Sequence, residues 1–170
     1  MKRRNRESGS AVIEFTMAGI PLIFLLFSTI QLSIGVWSYF TIDHAVNVAV
    51  RYAAVHGATC AASGNSCTVT VGQVISQLTT AAVGVPQSKF NATLTTNSGA
   101  QTPCNPVSTC ASNNTQWPPS TNNDNAVGAN ITISATYNFP SAIGMFWFQQ
   151  GMTNFGTIRF DAISTQQILY

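Results

Sequence analysis

"GSAVIEFTMAGIPLIFLLFSTI", residues 9–30, decides how the rest of the chain is read. No side chain from Phe15 to Ile42 carries a charge. Residues 10–30 reach the length of about 20 apolar residues that a membrane-spanning helix needs. In front of them lies "MKRRNRESG", which holds four of the chain's seven basic residues, Lys2, Arg3, Arg4 and Arg6. A basic head before an apolar helix predicts that residues 1–9 stay cytoplasmic and the chain beyond the helix is exported. Glu14 does not suit a plain anchor. A carboxylate near the bilayer interior costs roughly 2.5–3.5 kcal/mol on insertion scales. It therefore marks a function, unless the side chain snorkels to the cytoplasmic edge. A cleaved secretory signal accounts for the segment poorly. The apolar run is too long for an ordinary signal core, and "QLSIG" at 31–35 is a weak cleavage site.

A chain of 170 residues holds one compact domain and an anchor. The net charge of +2 belongs to the head, because from Ser10 onward Arg51, Lys89 and Arg159 face Glu14, Asp43, Asp124 and Asp161. No basic patch remains, so no nucleic-acid partner is expected. The cysteines fall in two close pairs on a chain with an export-type N-terminus, which favours disulfides. Short loops make Cys60–Cys67 and Cys104–Cys110 the first expectation. The rival is a zinc site of all four, but the intervals are wider than the usual two to four residues. No metal and no cofactor is expected. His44 and His56 stand far apart on one helix, with no neighbouring nucleophile and carboxylate, and no glycine-rich phosphate loop occurs. No catalytic residue is assigned, and the chain is not read as an enzyme.

Helical periodicity continues past the membrane edge. Ile42, Val46, Ala49 and Ala53 share one face, while Asp43, Asn47 and Arg51 form a polar strip read as a solvated side. Gly57 is a natural helix stop, so one helix from Ser10 to about His56 would run roughly 70 Å. Pro21, inside the apolar run, should kink it or open its hydrogen bonds locally. A second helix is signalled by a capping box at Thr70 and Gln73. Val71, Val74, Ile75, Leu78, Ala81 and Ala82 form its apolar face, and Gly84 and Pro86 end it. Its polar side has no Lys or Arg, so its apolar face belongs to a core and not to a membrane surface.

Three stretches alternate as strands do: 89–96, 130–139 and 156–165. The expected fold is α+β: a long N-terminal transmembrane helix, a second shorter helix and a small three-stranded antiparallel sheet. Residues 97–128 are rich in Asn, Ser, Thr, Pro and Gly and are expected to form a long exposed or disordered loop insertion, its first half stiffened by a disulfide. Trp117 within it is read as a cap on the domain core. Met145, Phe146, Trp147 and Phe148 are adjacent, so some should pack inward while others meet another subunit. The sequons at Asn91, Asn113 and Asn130 are expected by chance in a chain this rich in Asn and Thr.

The junction "RESGSAVIEF", residues 6–15, resembles the type IVb prepilin processing site. Gly9 ends a basic head, Ser10 follows it, Glu14 stands five residues on, and Phe15 comes next. Phe15, in place of the Tyr usual in Flp major pilins, looks like the TadE pseudopilin branch. "RYAAVHG" at 51–57 and the order of elements resemble TadE-like proteins too. The resemblance implies a pilin-like fold, cleavage after Gly9 by prepilin peptidase, and a mature chain starting at Ser10. It implies that Glu14 pairs with the Ser10 amine of a neighbour during assembly, with the helix near Pro21 as a flexible point. Residues 1–9 would then be the prepilin leader. Residues 10–30 would be the transmembrane half of the helix and 31–57 its exported half. Residues 58–170 would form a periplasmic or extracellular pilin-like domain. The implied role is a structural subunit, a pseudopilin or minor pilin of a Flp tight-adherence pilus, in the bacterial inner membrane and then at the cell surface. It would support adhesion and biofilm formation. Its partners would be prepilin peptidase, other pilin subunits or itself, and the Tad assembly machinery. The competing expectation is an uncleaved, membrane-anchored periplasmic binding module that recognises a surface or glycan through its disulfide loop.

Overall fold

The computed structural model describes residues 8–64, 67, 69–141 and 157–170, with backbone alone for 8–11, 62 and 63. Helix α1, Ser8–Ala54, runs as one element through Pro21. Its two halves live in different surroundings. Large apolar side chains from Val12 to Phe40 are exposed, whereas Ile42, Ala45, Val46, Ala49, Val50 and Ala53 are at most 1 % exposed. The buried stripe is mostly small and β-branched, which lets a sheet approach the helix closely. Gly35 and Ser38 extend the stripe toward the N-terminal half. The expected polar strip is not wholly solvated. The Ser164 hydroxyl donates to Asn47 Oδ1 at 2.7 Å, and the Asn47 amide donates to the Asp43 carbonyl at 2.9 Å, tying helix to sheet.

Helix α2, Val71–Ala81, starts on the expected capping box. Thr70 Oγ1 accepts from the Gln73 N–H at 3.3 Å, and Gln73 Oε1 accepts from the Thr70 N–H at 3.0 Å. Such a cap satisfies two of the orphan donors at a helix start. Val71, Val74, Ile75, Leu78 and Ala82 are buried against α1, and Ala81 is half-buried. Past the helix, Gly84 takes a left-handed conformation (φ +77°), and a Cβ there would lie 2.6 Å from the Trp37 ring. Only glycine lets the chain leave α2 so close to that ring.

Among the described residues the sheet has four strands, not three: β1 Phe90–Thr95, β2 Gln101–Cys104, β3 Asn130–Pro140 and β4 Thr157–Gln167. All neighbours are antiparallel, in the order β2-β1-β3-β4. The added strand falls inside the stretch expected to be a loop. Pro103 and polar neighbours argue against a strand in sequence. On an edge, however, the missing N–H of proline faces outward and costs no ladder bond. Phe90, Ala92, Leu94, Ile131, Ile133, Ala135, Tyr137, Phe139 and Ala162 form the buried face of the sheet, and the other carries mostly threonines, serines and asparagines, with Arg159, Asp161 and Ile163 on β4.

The rest of 97–128 is ordered as well. Cys104–Cys110 and Cys60–Cys67 are both disulfides, at Cα separations of 5.6 and 5.5 Å. Val107, Cys110 and Trp117 are buried, so Trp117 does cap the core. The Val71 and Gly72 N–H groups, at the start of α2, donate to the Thr115 and Asn113 carbonyls, each at 2.9 Å. Backbone groups that helix geometry leaves unpaired thus hold the segment in place. Met145–Phe148 lie outside the described residues.

Asp124 fastens the far end of this segment and is 1 % exposed. It accepts from the Ser98 N–H at 2.7 Å and from the Ser98 hydroxyl at 2.6 Å, bridging to the β1–β2 turn. Burial alone would raise its pKa. Hydrogen bonds from the Ser98 and Thr96 hydroxyls and the Ser98 N–H outweigh that and leave it below the usual carboxylate value. A depressed folded-state pKa gives stability that is present at neutral pH and lost as pH falls below about 4. We expect Asp124→Ala to lower unfolding stability by about 2 kcal/mol at pH 7. In urea titrations of the full chain in detergent, the gap to wild type should narrow toward pH 3. A gap that does not change with pH would show that the charge of Asp124 is immaterial.

Candidate functional site

The N-terminal half of α1 is the candidate. Gly9 and Ser10 lie in its first turn, and Glu14 follows one turn later on an exposed part of the helix. Phe15 is 79 % exposed, so the residue beside the acid points away from this chain's own core. Among the described residues, the buried stripe of the helix begins only at Gly35. The helix therefore offers its surface to lipid or to other chains.

The hydroxyl side chains within this surface are satisfied locally. The Thr16, Ser28 and Ser33 hydroxyls each donate to the carbonyl four residues earlier at 2.8 Å, and the Thr29 hydroxyl donates to Leu26 at 2.8 Å. In hydrocarbon, where no water can take the proton, such back-bonding lets hydroxyls be present without loss. Among the described residues, α1 is one helix long and apolar enough to cross a membrane.

The other sequence-selected residues do not gather into a site. His44 is exposed, while His56 stacks on Tyr52 at 4.5 Å between ring centroids. Among the described residues, no three His, Cys, Asp or Glu side chains cluster. All four cysteines are in the two disulfides, which removes the thiolates a zinc site would need.

Sequence reasoning missed one feature. Where α1 leaves the membrane-length segment, it stands off from the ends of β3 and β4 and leaves an apolar groove of about 520 Å³. Leu32, Gly35, Phe40, Phe139, Ile158 and Phe160 line it. Gly35 was the available signal: a glycine inside an apolar helical run often marks close approach or open space.

The architecture is that of a single membrane-length helix carrying a small α+β domain on its far half, a pilin-like layout. The family model described as TadE-like protein matches residues 9–51, and over these residues the chain is similar to that family. The match takes in Gly9, Glu14 and Phe15 but ends at Arg51, so it covers α1 and none of the sheet. Apart from its first residue, "RYAAVHG" lies beyond it. No curated protein and no solved structure matches the chain.

Proposed function

We propose that this chain is a structural subunit, a pseudopilin or minor pilin, of a Tad-type Flp pilus. Prepilin peptidase cleaves it after Gly9, it is held in the inner membrane by residues 10–30, and it assembles through α1. One observation carries this: an acid stands at the start of a helix whose exposed apolar surface is long enough to span a bilayer, within the stretch that matches the TadE-like family. A domain needing only an anchor has no use for Glu14. A subunit whose cleavage exposes a new amine in lipid does, because each charge stabilises the other where water is absent. The domain then faces outward, carrying the 97–128 segment away from the helix contacts, where the pilus meets surfaces. The absence of any catalytic constellation in the sequence supports a role in structure rather than catalysis.

Mass spectrometry of the membrane-bound protein tests the proposal directly. The expected chain begins at Ser10, with or without N-methylation. A chain still carrying Met1 in cells with active prepilin peptidase would overturn the processing step and favour an uncleaved anchor.

A further inference from the structure

Beyond Glu14 the chain carries only Asp43, Arg51, Lys89, Asp124, Arg159 and Asp161 as charged side chains. Arg159 and Asp161 pair with each other at 2.9 Å. Asp124 is buried on Ser98, and Lys89 is exposed just before β1. The other two stand on the C-terminal half of α1. Asp43 takes one long contact, from the Asn47 amide at 3.4 Å. The exposed Arg51 guanidinium has no partner among the described residues. The two charges are opposite, yet they lie about 12 Å apart along the helix and about 80° apart around it. That is too far to meet within one chain. Phe40 and His44 share the exposed side of α1 with Arg51, which is where a neighbouring helix can lie.

We infer that Asp43 of one copy pairs with Arg51 of a second copy of this chain, and that the pair forms only when one α1 is raised along its axis relative to the other. The inference rests on the proposed pairing of Glu14 with a neighbour's Ser10 amine. That pairing needs the neighbour raised by four residues, about 6 Å. The same displacement carries the raised copy's Asp43 toward Arg51 of the lower copy and leaves about 6 Å between them along the axis. Helix side chains lean toward the N-terminus, so the long Arg51 side chain extends down toward the Asp43 it meets. Copies standing level bring like charge opposite like charge and gain nothing. One displacement therefore satisfies two separate charge pairs at opposite ends of the helix, both in the same sense. Each charge finds its complement on the same sequence, which identifies the neighbour as a second copy. The pair acts as a register mark at the domain end of α1, as Glu14 does at the other.

A single exposed ion pair adds little, so the decisive test is charge reversal, which turns attraction into repulsion at every contact. Full-length Arg51→Asp, Asp43→Arg and the double reversal are each expressed in place of wild type, and their amounts in sheared pili and in the membrane are compared by immunoblotting. Each single reversal should lower incorporation by about tenfold. The double reversal exchanges the two charges and should return it to near the wild-type level. Single reversals without loss, or a double reversal no better than the worse single one, overturn the pairing between copies. The second of these results means that Arg51 and Asp43 face different chains. Melting in detergent checks that each variant folds, since Asp43 lies beside the Asn47–Ser164 link to the sheet. If Asp43→Arg shifts the melt, Asp43→Asn and Arg51→Gln take its place: losses that do not add are expected, and losses that add overturn the pairing. Wild-type protein missing from sheared pili overturns the proposed function itself, whereas wild-type protein present with reversals that do nothing overturns only this contact.

Discussion

Gly57→Val should unfold the α+β domain. A Cβ at this position would overlap the Tyr170 carbonyl oxygen and the Ile168 side chain, and would stand 2.9 Å from the Asn125 carbonyl. None of these neighbours can yield cheaply. The Leu169 N–H donates to the Ala54 carbonyl at 2.9 Å, closing the end of α1. Gly128 N–H to Ile168, Ile168 N–H to Ala129 and Ala58 N–H to Asn125 hold the tail and the facing turn at 2.8–2.9 Å. Ile168 is 1 % exposed, so moving the tail takes a core side chain with it. Overpacking typically costs about 1–3 kcal/mol. Each broken hydrogen bond adds about 1 kcal/mol, and an expelled isoleucine about 2 kcal/mol. The sum is comparable with the roughly 5–15 kcal/mol that holds an ordinary domain. Circular dichroism melting of the full chain in detergent should show the cooperative transition lost or shifted far down. Gly19→Ala, where the new methyl meets nothing within 4 Å, should leave it in place. An unchanged melt for Gly57→Val would mean that the tail does not seal the end of the helix.

Glu14→Ala has the opposite profile: a stable subunit that does not assemble. Glu14 lies on the exposed N-terminal half of α1, and the buried stripe that holds the domain begins at Gly35. Domain melting and membrane insertion should therefore match wild type. On the proposed function, what is lost is the partner for a neighbour's Ser10 amine. Leaving one charge of a buried pair uncompensated costs about 3–5 kcal/mol, or more than about a hundredfold in an equilibrium constant. Quantitative immunoblotting of sheared pili against the membrane pool should show incorporation reduced by at least about tenfold. Glu14→Asp, which shortens the reach and keeps the charge, should recover part of it. Wild-type incorporation of Glu14→Ala would remove the pairing role and leave an acid at the membrane edge.

What was legible in the sequence was what depends on near neighbours along the chain. The capping box at Thr70 and Gln73, the apolar face of α2, and the alternation in 130–139 each involve residues a few positions apart, and each stands in the structure as expected. Both disulfides close loops so short that pairing within each couple was the simplest choice. Gly57 shows the opposite case. It looked like a left-handed helix stop, yet α1 ends at Ala54 and Gly57 is not among the glycines with positive φ. It is glycine because the chain's last residues lie against it. No local pattern carries that information.

The sequence alone determined the long apolar helix with its basic head, the acid set five residues after Gly9, and the α+β class. These follow from composition and from the 3.6- and 2-residue periods, which act within one element. Tertiary structure decided the rest. It made a strand of a proline-bearing stretch by placing it at a sheet edge, where a missing N–H goes unneeded. It buried Val107 and Asp124 in a segment that reads as solvent-exposed, because backbone donors at the start of α2 and the hydroxyls of Thr96 and Ser98 were waiting for acceptors there. It also brought Gly35 opposite Phe139 and Phe160. Residues more than a hundred positions apart become neighbours only once a sheet packs on a helix, so no window of the sequence could have shown the groove between them.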